Sequence, residues 1–432
     1  MNPNDAFNRS LSDWLRADSE HRVPDHLGAV LLETSVQPQR PAWMSLERWL
    51  PMALSSRRAW FVRPAPLPRL FLLGLLAVLV AALLALAVGS RRSLPFSYGL
   101  ARNGAIVTSV DGDIYSLDPS TGKTSPLIVN DALDFGPMFS RDGTKLLFLR
   151  APNVVPSPGL LIVVANSDGS APREITKPVQ GLDQVDWSPD GTRIVFLSRV
   201  LGRGLINIVN DDGTGLRTLD VGRPANQVQW LPPLGDEILF RGEHLLDGDP
   251  PPGVFAVRPD APGTDGSRVR KLSVRPALDK NDFNDLSPSP DGTLIAYRAI
   301  TPEGRFRLTL LDVRTGADRV LPEAQDAVGS GGGVFSPDGK QILYLRWYAD
   351  STTELVLAPV DGSPRVIALG ARAPLGPDGP TINNYGFTPD GTAVIANDDN
   401  DKVERRLPVD GSPGSVLIHG SLAFTAYQRL AP

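Results

Sequence analysis

The residue types that most often carry chemistry are scarce in this chain of 432 residues. It has no cysteine and four histidines, at His21, His26, His244 and His419. Thiol nucleophiles, zinc sites and Ser-His-Asp triads need those side chains in clusters. The chain also lacks a Gly-x-Ser-x-Gly nucleophile turn. We therefore expect no catalytic residue and no cofactor site, and the sequence favours binding over catalysis.

One acidic segment carries oxygen atoms at a density that calcium could use. Asp398, Asp399 and Asp401 fall within four consecutive positions, and calcium takes six to eight oxygen ligands. Their spacing matches no recognised calcium loop. We interpret the segment as a solvated turn between strands, assign no metal, and keep these three aspartates as the calcium candidates.

A short module recurs along the last three quarters of the chain. An aromatic residue is followed by Ser or Thr, Pro, Asp and Gly, and then by an apolar run. Pro fixes φ at the first corner of a turn, Asp bonds to its own backbone, and Gly takes a left-handed conformation. We assign these turn residues a structural role. They are Asp142, Gly143, Pro189, Asp190, Gly191, Pro290, Asp291, Gly292, Pro337, Asp338, Gly339, Pro389, Asp390 and Gly391.

The spacing of the modules indicates the blades of a β-propeller. Asp142 and Asp190 are 48 residues apart, as expected for one blade per module. A second strand pair follows each module, and a degenerate copy stands at Trp230. One trailing pair, at 114–122, has no leading strand, and the tail at 424–432 can supply it. We predict an all-β, seven-bladed propeller whose first blade is closed by the C-terminal strand; six blades is the alternative.

The amino-acid composition agrees with that fold and argues against one class of partner. The 41 glycines and 41 prolines favour many short strands joined by tight turns. The formal charge is −5, and the chain after residue 98 is more acidic still because residues 1–98 are net basic. Nucleic-acid affinity depends on Lys and Arg neutralising phosphates, so we expect no nucleic-acid partner.

The modules resemble the WD40-like propeller repeats of the TolB type, over roughly Ser97 to Pro432. Three positions depart from the pattern: Arg141 replaces Pro, Pro288 replaces the aromatic residue, and the copy at Trp230 continues as Leu-Pro-Pro-Leu-Gly. The resemblance implies an extracytoplasmic propeller, and blades of this type serve many functions. A ligand is expected at one mouth of the central channel. The stretches 245–266 and 371–384 are the candidate loops, and Gly329–Gly333 is interpreted as a flexible loop.

An uncharged stretch before the propeller has the length of a membrane span. Leu70–Val88 contains 19 residues without a charge, about 28 Å as a helix, which matches the hydrocarbon thickness of a bilayer. Arginines within about 15 residues number four before it and three after it, a bias that favours a cytoplasmic N-terminus. We predict a cytoplasmic segment at 1–65, a transmembrane helix at 66–90 and the propeller at 91–432.

The N-terminal segment has the pattern of a short amphipathic helix. Phe7, Leu11, Trp14 and Leu15 fall on one helical face, and such a helix needs a partner or a membrane to cover it. Three functions stay open. The first is a membrane-anchored propeller in the cell envelope that binds a protein, peptide or glycan. The second is a signalling protein, similar in layout to anti-sigma factors, whose N-terminal helices bind a cytoplasmic regulator. The third is a propeller accessory to a hydrolase.

Overall fold

Apolar strands separated by glycine turns form seven antiparallel sheets, the blades of a β-propeller. The computed structural model describes residues 99–154, 158–244, 249, 251–261, 268–273, 284–322, 326–363, 367–369, 372–376, 379–380, 382–398, 401–419 and 425–431. The described residues belong to one unit, Ser90–Pro432. The predicted segment 1–65 and the predicted span Leu70–Val88 lie outside them. Within the described part, no helix has the length and apolar character to cross a membrane.

The strands follow one another blade by blade along the chain. Blades 1 to 4 contain β1 (Arg102–Val110), β2 (Asp113–Leu117), β3 (Thr124–Ile128); β4 (Leu133–Phe139), β5 (Lys145–Ala151), β6 (Leu161–Asn166), β7 (Arg173–Glu174); β8 (Val185–Trp187), β9 (Arg193–Val200), β10 (Arg203–Asn210), β11 (Arg217–Leu219); and β12 (Ala225–Trp230), β13 (Ile238–Gly242), β14 (Gly253–Val257), β15 (Val269–Lys271). Blades 5 to 7 contain β16 (Asn284–Pro288), β17 (Leu294–Ile300), β18 (Phe306–Asp312), β19 (Asp318–Val320); β20 (Ala327–Phe335), β21 (Gln341–Tyr348), β22 (Thr352–Pro359), β23 (Ile367–Ala368), β24 (Ala373–Gly376), β25 (Gly379–Pro380); and β26 (Ile382–Phe387), β27 (Ala393–Asp398), β28 (Val403–Pro408), β29 (Ser415–His419). The last strand, β30 (Thr425–Leu430), returns to blade 1.

Pairing of β30 with β1 confirms that the tail completes the first blade. The sheet has the order β3-β2-β1-β30, with Ile106 opposite Tyr427 and Val107 opposite Ala426. The degenerate copy is also a full blade, since Trp230 at the end of β12 pairs with Ile238 on β13. Seven blades are therefore confirmed, and the six-bladed alternative is wrong.

Each blade buries its apolar faces against its two neighbours. Seven apolar clusters occur among the described residues, and each one joins two consecutive blades. Trp187, Trp230, Tyr297 and Tyr344 are fully buried within them. The cluster between blades 7 and 1 contains four buried residues, whereas each of the others contains eight or more. Among the described residues, the seam where the ring closes thus has the smallest apolar core.

The glycine-rich stretch Gly329–Gly333 lies within strand β20 and is not a loop, so that interpretation was wrong. The register shifts between Gly331 and Val334, which is a β-bulge. A Cβ added at Gly332 would collide with the hydroxyl of Tyr385, and one at Gly333 would crowd Leu308. Glycine is required at these positions because side chains from blades 5 and 7 pack directly against the strand.

The hairpin turns between the first and second strands touch one another around the channel. A Cβ added at Gly143 would lie 2.1 Å from the carbonyl oxygen of Arg429, and one at Gly292 would lie 2.0 Å from that of Pro232. The turn glycine of each later blade likewise faces the turn of the blade before it, through these pairs: Gly191 with Asp142, Gly235 with Pro189, Gly339 with Pro290, and Gly391 with Pro337. The repeated residues therefore build a series of turn-to-turn contacts through blades 2 to 7, and in blade 1 the end of β30 takes the place of a turn.

Replacing Gly143 by alanine should weaken the contact between β30 and the hairpin turn of blade 2. Gly143 has φ +71°, so alanine adds left-handed strain as well as a collision with the Arg429 backbone. We expect a loss of about 3 kcal/mol or more in the free energy of unfolding, measured by urea denaturation. Gly222→Ala is the matched control, because Gly222 has φ +69° with open space around it, and it should cost about 1 kcal/mol. Equal losses in the two variants would contradict the contact.

Candidate functional site

Two adjoining cavities open at the end of the channel where the hairpin turns lie. Their volumes are about 310 and 320 Å³, and both are lined by Arg141, Pro337, Gly386, Phe387 and Arg429. We call the two together the mouth crevice. Its walls come from the first strands and hairpin turns of blades 1, 2, 4, 5, 6 and 7, so the crevice lies on the axis of the ring.

The repeated turns set the shape of this crevice. Pro232, Pro290, Pro337 and Pro389 each occupy the same place in the turn of a different blade, and all four line it. Their rings have a fixed φ and few rotamers, so they make a rigid rim. In blade 2 that position holds Arg141, which puts a charged side chain among the prolines.

Hydrogen bonds within each turn hold its aspartate away from the crevice. The Asp142 carboxylate accepts from the Ser140 hydroxyl at 2.5 Å and from the Thr144 amide at 3.1 Å. The same two bonds recur at the corresponding positions in blades 3, 5, 6 and 7. Bonds of this kind lower the pKa of Asp190 and Asp390 despite partial burial. Of the turn prolines predicted from sequence, Pro290, Pro337 and Pro389 line the crevice, and Pro189 does not.

Two arginines supply the charge of the mouth crevice. Nη2 of Arg141 lies 3.1 Å from a carboxylate oxygen of Asp186, which is buried and also accepts from the amide of Trp230 at 2.9 Å. Burial raises the pKa of Asp186, and the charge of Arg141 opposes that rise. Nη2 of Arg429 donates to the carbonyl of Gly99 at 2.6 Å. No aspartate or glutamate is among the described residues that line the crevice.

Two tyrosines add phenol groups to the wall near blade 7. The Tyr385 hydroxyl donates to the carbonyl of Gly332 at 2.6 Å, and burial raises its pKa. Burial and the nearby Glu404 raise the pKa of Tyr427 to about 12. Both phenols therefore stay protonated at neutral pH. The phenol of Tyr385 donates to Gly332, and that of Tyr427 can act as a hydrogen-bond donor to a ligand.

Glu404 is a buried carboxyl group between blade 7 and the closing strand β30, directly behind the crevice wall. It lies on β28 of blade 7 with 2% of its surface exposed, and its carboxyl accepts a hydrogen bond from the hydroxyl of Thr425 on β30. Desolvation raises the pKa of Glu404 to about 7, against the opposing effect of the Thr425 bond. The group thus links blade 7 to the strand that closes the ring.

The calcium candidates lie away from the mouth crevice. Asp398 and Asp401 both bind the guanidinium of Arg405, a cation that competes with a metal ion for their oxygens. Asp399 lies outside the described residues. Across the described part of the chain, no group of three or more His, Asp or Glu side chains is arranged to hold a metal.

The two candidate ligand loops contribute little to the crevice among their described residues. The stretch 245–266 contains strand β14, and 371–384 contains β24 and β25; of their described residues, only Asn384 lines the crevice. Whether either stretch binds a ligand stays a prediction. The sequence feature that does reach the crevice is Arg141, the departure from the Ser-Pro-Asp-Gly pattern. Arg429 and Tyr385 carry no sequence signal of this kind, because they lie in first strands that vary between blades.

No protein-family model and no curated protein matches this chain. Among solved structures it is similar to TolB from Acinetobacter baumannii, with 15% identity over 77% of this chain and 81% of that one and a TM-score of 0.46. It is also similar to oligogalacturonate lyase from Vibrio parahaemolyticus (14% identity, 59% and 74%, TM-score 0.47). A prolyl endopeptidase shares 15% identity over 78% of this chain and 52% of its own, with a TM-score of 0.50. At such identities the likeness shows a shared propeller fold alone.

Glu404→Gln should make the stability of the propeller less dependent on pH. Because the folded pKa of about 7 exceeds the ordinary 4.5, the folded state holds the proton more tightly, and wild-type stability falls as pH rises from about 4.5 to 7. At pH 8 the glutamine variant should be more stable by roughly 3 kcal/mol, and at pH 4 the two should match. Urea denaturation between pH 4 and pH 8 measures the free energy of unfolding of both proteins. Glu303→Gln, which replaces an exposed glutamate, is the control. A difference in stability between Glu404→Gln and the wild type that stays constant across this pH range would contradict the raised pKa of Glu404.

Proposed function

We propose that this chain is a binding propeller that holds a segment of a protein or peptide partner in its mouth crevice. The observation that carries the proposal is the crevice itself, where two arginines, two tyrosines and Phe387 meet within a rim of prolines. Arg and aromatic residues are the types most enriched at the centres of protein interfaces.

The size and stiffness of the crevice suit a short stretch of extended chain. Each cavity has a volume of about 310 to 320 Å³, at the lower end of the range for small-ligand sites, and the two adjoin along the mouth. Prolines and buried first strands lose little conformational freedom when a ligand binds, which reduces the entropic cost of association. We assign binding and no catalytic reaction to the crevice, because its polar groups are hydrogen-bond donors and amides.

The proposal includes the sequence-based anchor. Leu70–Val88 would hold the propeller to a membrane with its bulk on the outer face, in keeping with the uncharged length of that stretch and the arginine bias around it. A signalling role for residues 1–65 depends on a cytoplasmic partner and is a separate hypothesis.

Photo-crosslinking tests the binding proposal. A benzophenone amino acid in place of Phe387 should give covalent adducts with a partner protein in living cells, because Phe387 lines both cavities. The same replacement at Phe306 is the matched control, since that aromatic side chain is 38% exposed at the opposite end of the channel. Adducts should form from position 387 only. Equal adducts from both positions, or none from 387, would contradict the proposal.

The topology can be tested by labelling, because the chain has no cysteine of its own. Leu201→Cys, at a side chain that is 98% exposed, should react with a membrane-impermeant maleimide in intact spheroplasts. Ser19→Cys should react only after the membrane is opened, because residues 1–65 are predicted to be cytoplasmic. The opposite pattern would overturn the proposed orientation.

A further inference from the structure

We propose that the segment bound at the mouth is acidic, and that Arg141 and Arg429 bind one of its carboxylates. This inference rests on the proposed function and adds the chemistry of the ligand to it. It comes from the juxtaposition of two guanidinium groups, from opposite ends of the propeller sequence, in one crevice whose described lining residues include no aspartate or glutamate.

The closing strand is what brings the two arginines together. The side-chain amide of Gln428 donates to the carbonyl of Gly143 at 2.7 Å, and the Gly143 Cα faces the backbone of Arg429. The end of β30 therefore lies against the turn that carries Arg141. Both arginines line both cavities, so a ligand in either one meets them.

Among the described residues, the only charged side chains that line the crevice are the two arginines, so its lining is positively charged. Asp186, the carboxylate paired with Arg141, is buried behind it and is shared with the Trp230 amide. The Arg141 side chain is paired with Asp186 and is still 36% exposed, so a ligand in the crevice can reach its guanidinium. The phenol of Tyr427 remains a donor at neutral pH, and that of Tyr385 donates to Gly332. A carboxylate ligand matches this set, because bidentate guanidinium–carboxylate pairs combine charge with directed hydrogen bonds.

The position of Arg141 in the turn argues that its side chain serves a contact. The corresponding turns of blades 3, 5, 6 and 7 contain proline there, at Pro189, Pro290, Pro337 and Pro389. Those turns form the same hydrogen bonds as the blade 2 turn, so hairpin formation does not require arginine. Arginine at this place costs side-chain entropy that proline would not.

A peptide fits the lining better than an acidic sugar does. Sugar hydroxyl groups need several acceptors, and carboxylates are the strongest ones a protein offers. The crevice supplies donors from two arginines and Tyr427, together with proline and phenylalanine surfaces, and its described side-chain acceptors are amide and hydroxyl oxygens, with no carboxylate among them. An acidic side chain or a C-terminal carboxylate flanked by apolar residues complements these groups.

Binding of defined probes to the purified full-length chain in detergent tests the inference. Calorimetry would compare acetylated, amidated hexaglutamate with the matching hexaglutamine and with a galacturonate hexamer. Arg141→Pro restores the repeat residue but removes the cation that pairs with the buried Asp186, so it should be less stable than the wild type. Thermal unfolding of both proteins gives the temperature at which both are folded, and binding is compared there. Arg429→Gln is the second variant. Arg305→Gln is the control, because Arg305 is exposed in the turn that precedes β18 at the opposite end of the channel.

Wild type and Arg305→Gln should bind hexaglutamate in preference to hexaglutamine, more weakly as salt rises. Arg141→Pro and Arg429→Gln should each bind it about tenfold or more weakly. Equal binding of the two peptides by wild type, or undiminished binding by Arg141→Pro, would overturn the inference. Tighter binding of the galacturonate hexamer would overturn the choice of a peptide. If adducts from position 387 persist in Arg141→Pro, the acidic ligand is refuted while the binding function stands.

Discussion

The antiparallel pairing of β30 with β1 is the contact that turns a row of blades into a ring. Each blade has two faces to cover, and blade 1 has only three strands of its own until the C-terminal strand joins it. Without that strand, Ile106 and Val107 would lose their partners Tyr427 and Ala426. An open sheet edge would then face solvent. Closure matters most at this seam because its apolar core is the smallest of the seven that the described residues form.

The same strand also assembles the candidate site. Arg429, Tyr427 and Thr425 reach the crevice from β30, while Arg141 comes from the first hairpin turn that β30 touches. The stability of the ring and the proposed binding therefore depend on one set of contacts. The buried Glu404 adds a protonation equilibrium to them through its bond to Thr425, so the seam is also the part of the ring whose strength changes with pH.

Sequence reasoning predicted the fold well because the propeller is built from a visible repeat. The Asp-Gly turns at Asp142 and Asp190 fixed the blade length, and the incomplete pair at 114–122 required a strand from the tail. It did not predict the crevice. Arg141 stood out as a departure from proline, yet its place at the mouth follows only when turns from five blades meet the closing strand β30 at the axis. Glycines such as Gly332 were misinterpreted, because their use depends on Tyr385 from another blade.

Urea unfolding of a chain that ends at residue 424, compared with the full chain, tests the central role of β30 most directly. If the strand closes the ring, the shortened chain should lose a large part of its free energy of unfolding and bind hydrophobic dyes, since the face of blade 1 and the seam with blade 7 would open. A shortened chain that unfolds at the same urea concentration, with the same slope, would contradict closure by the tail.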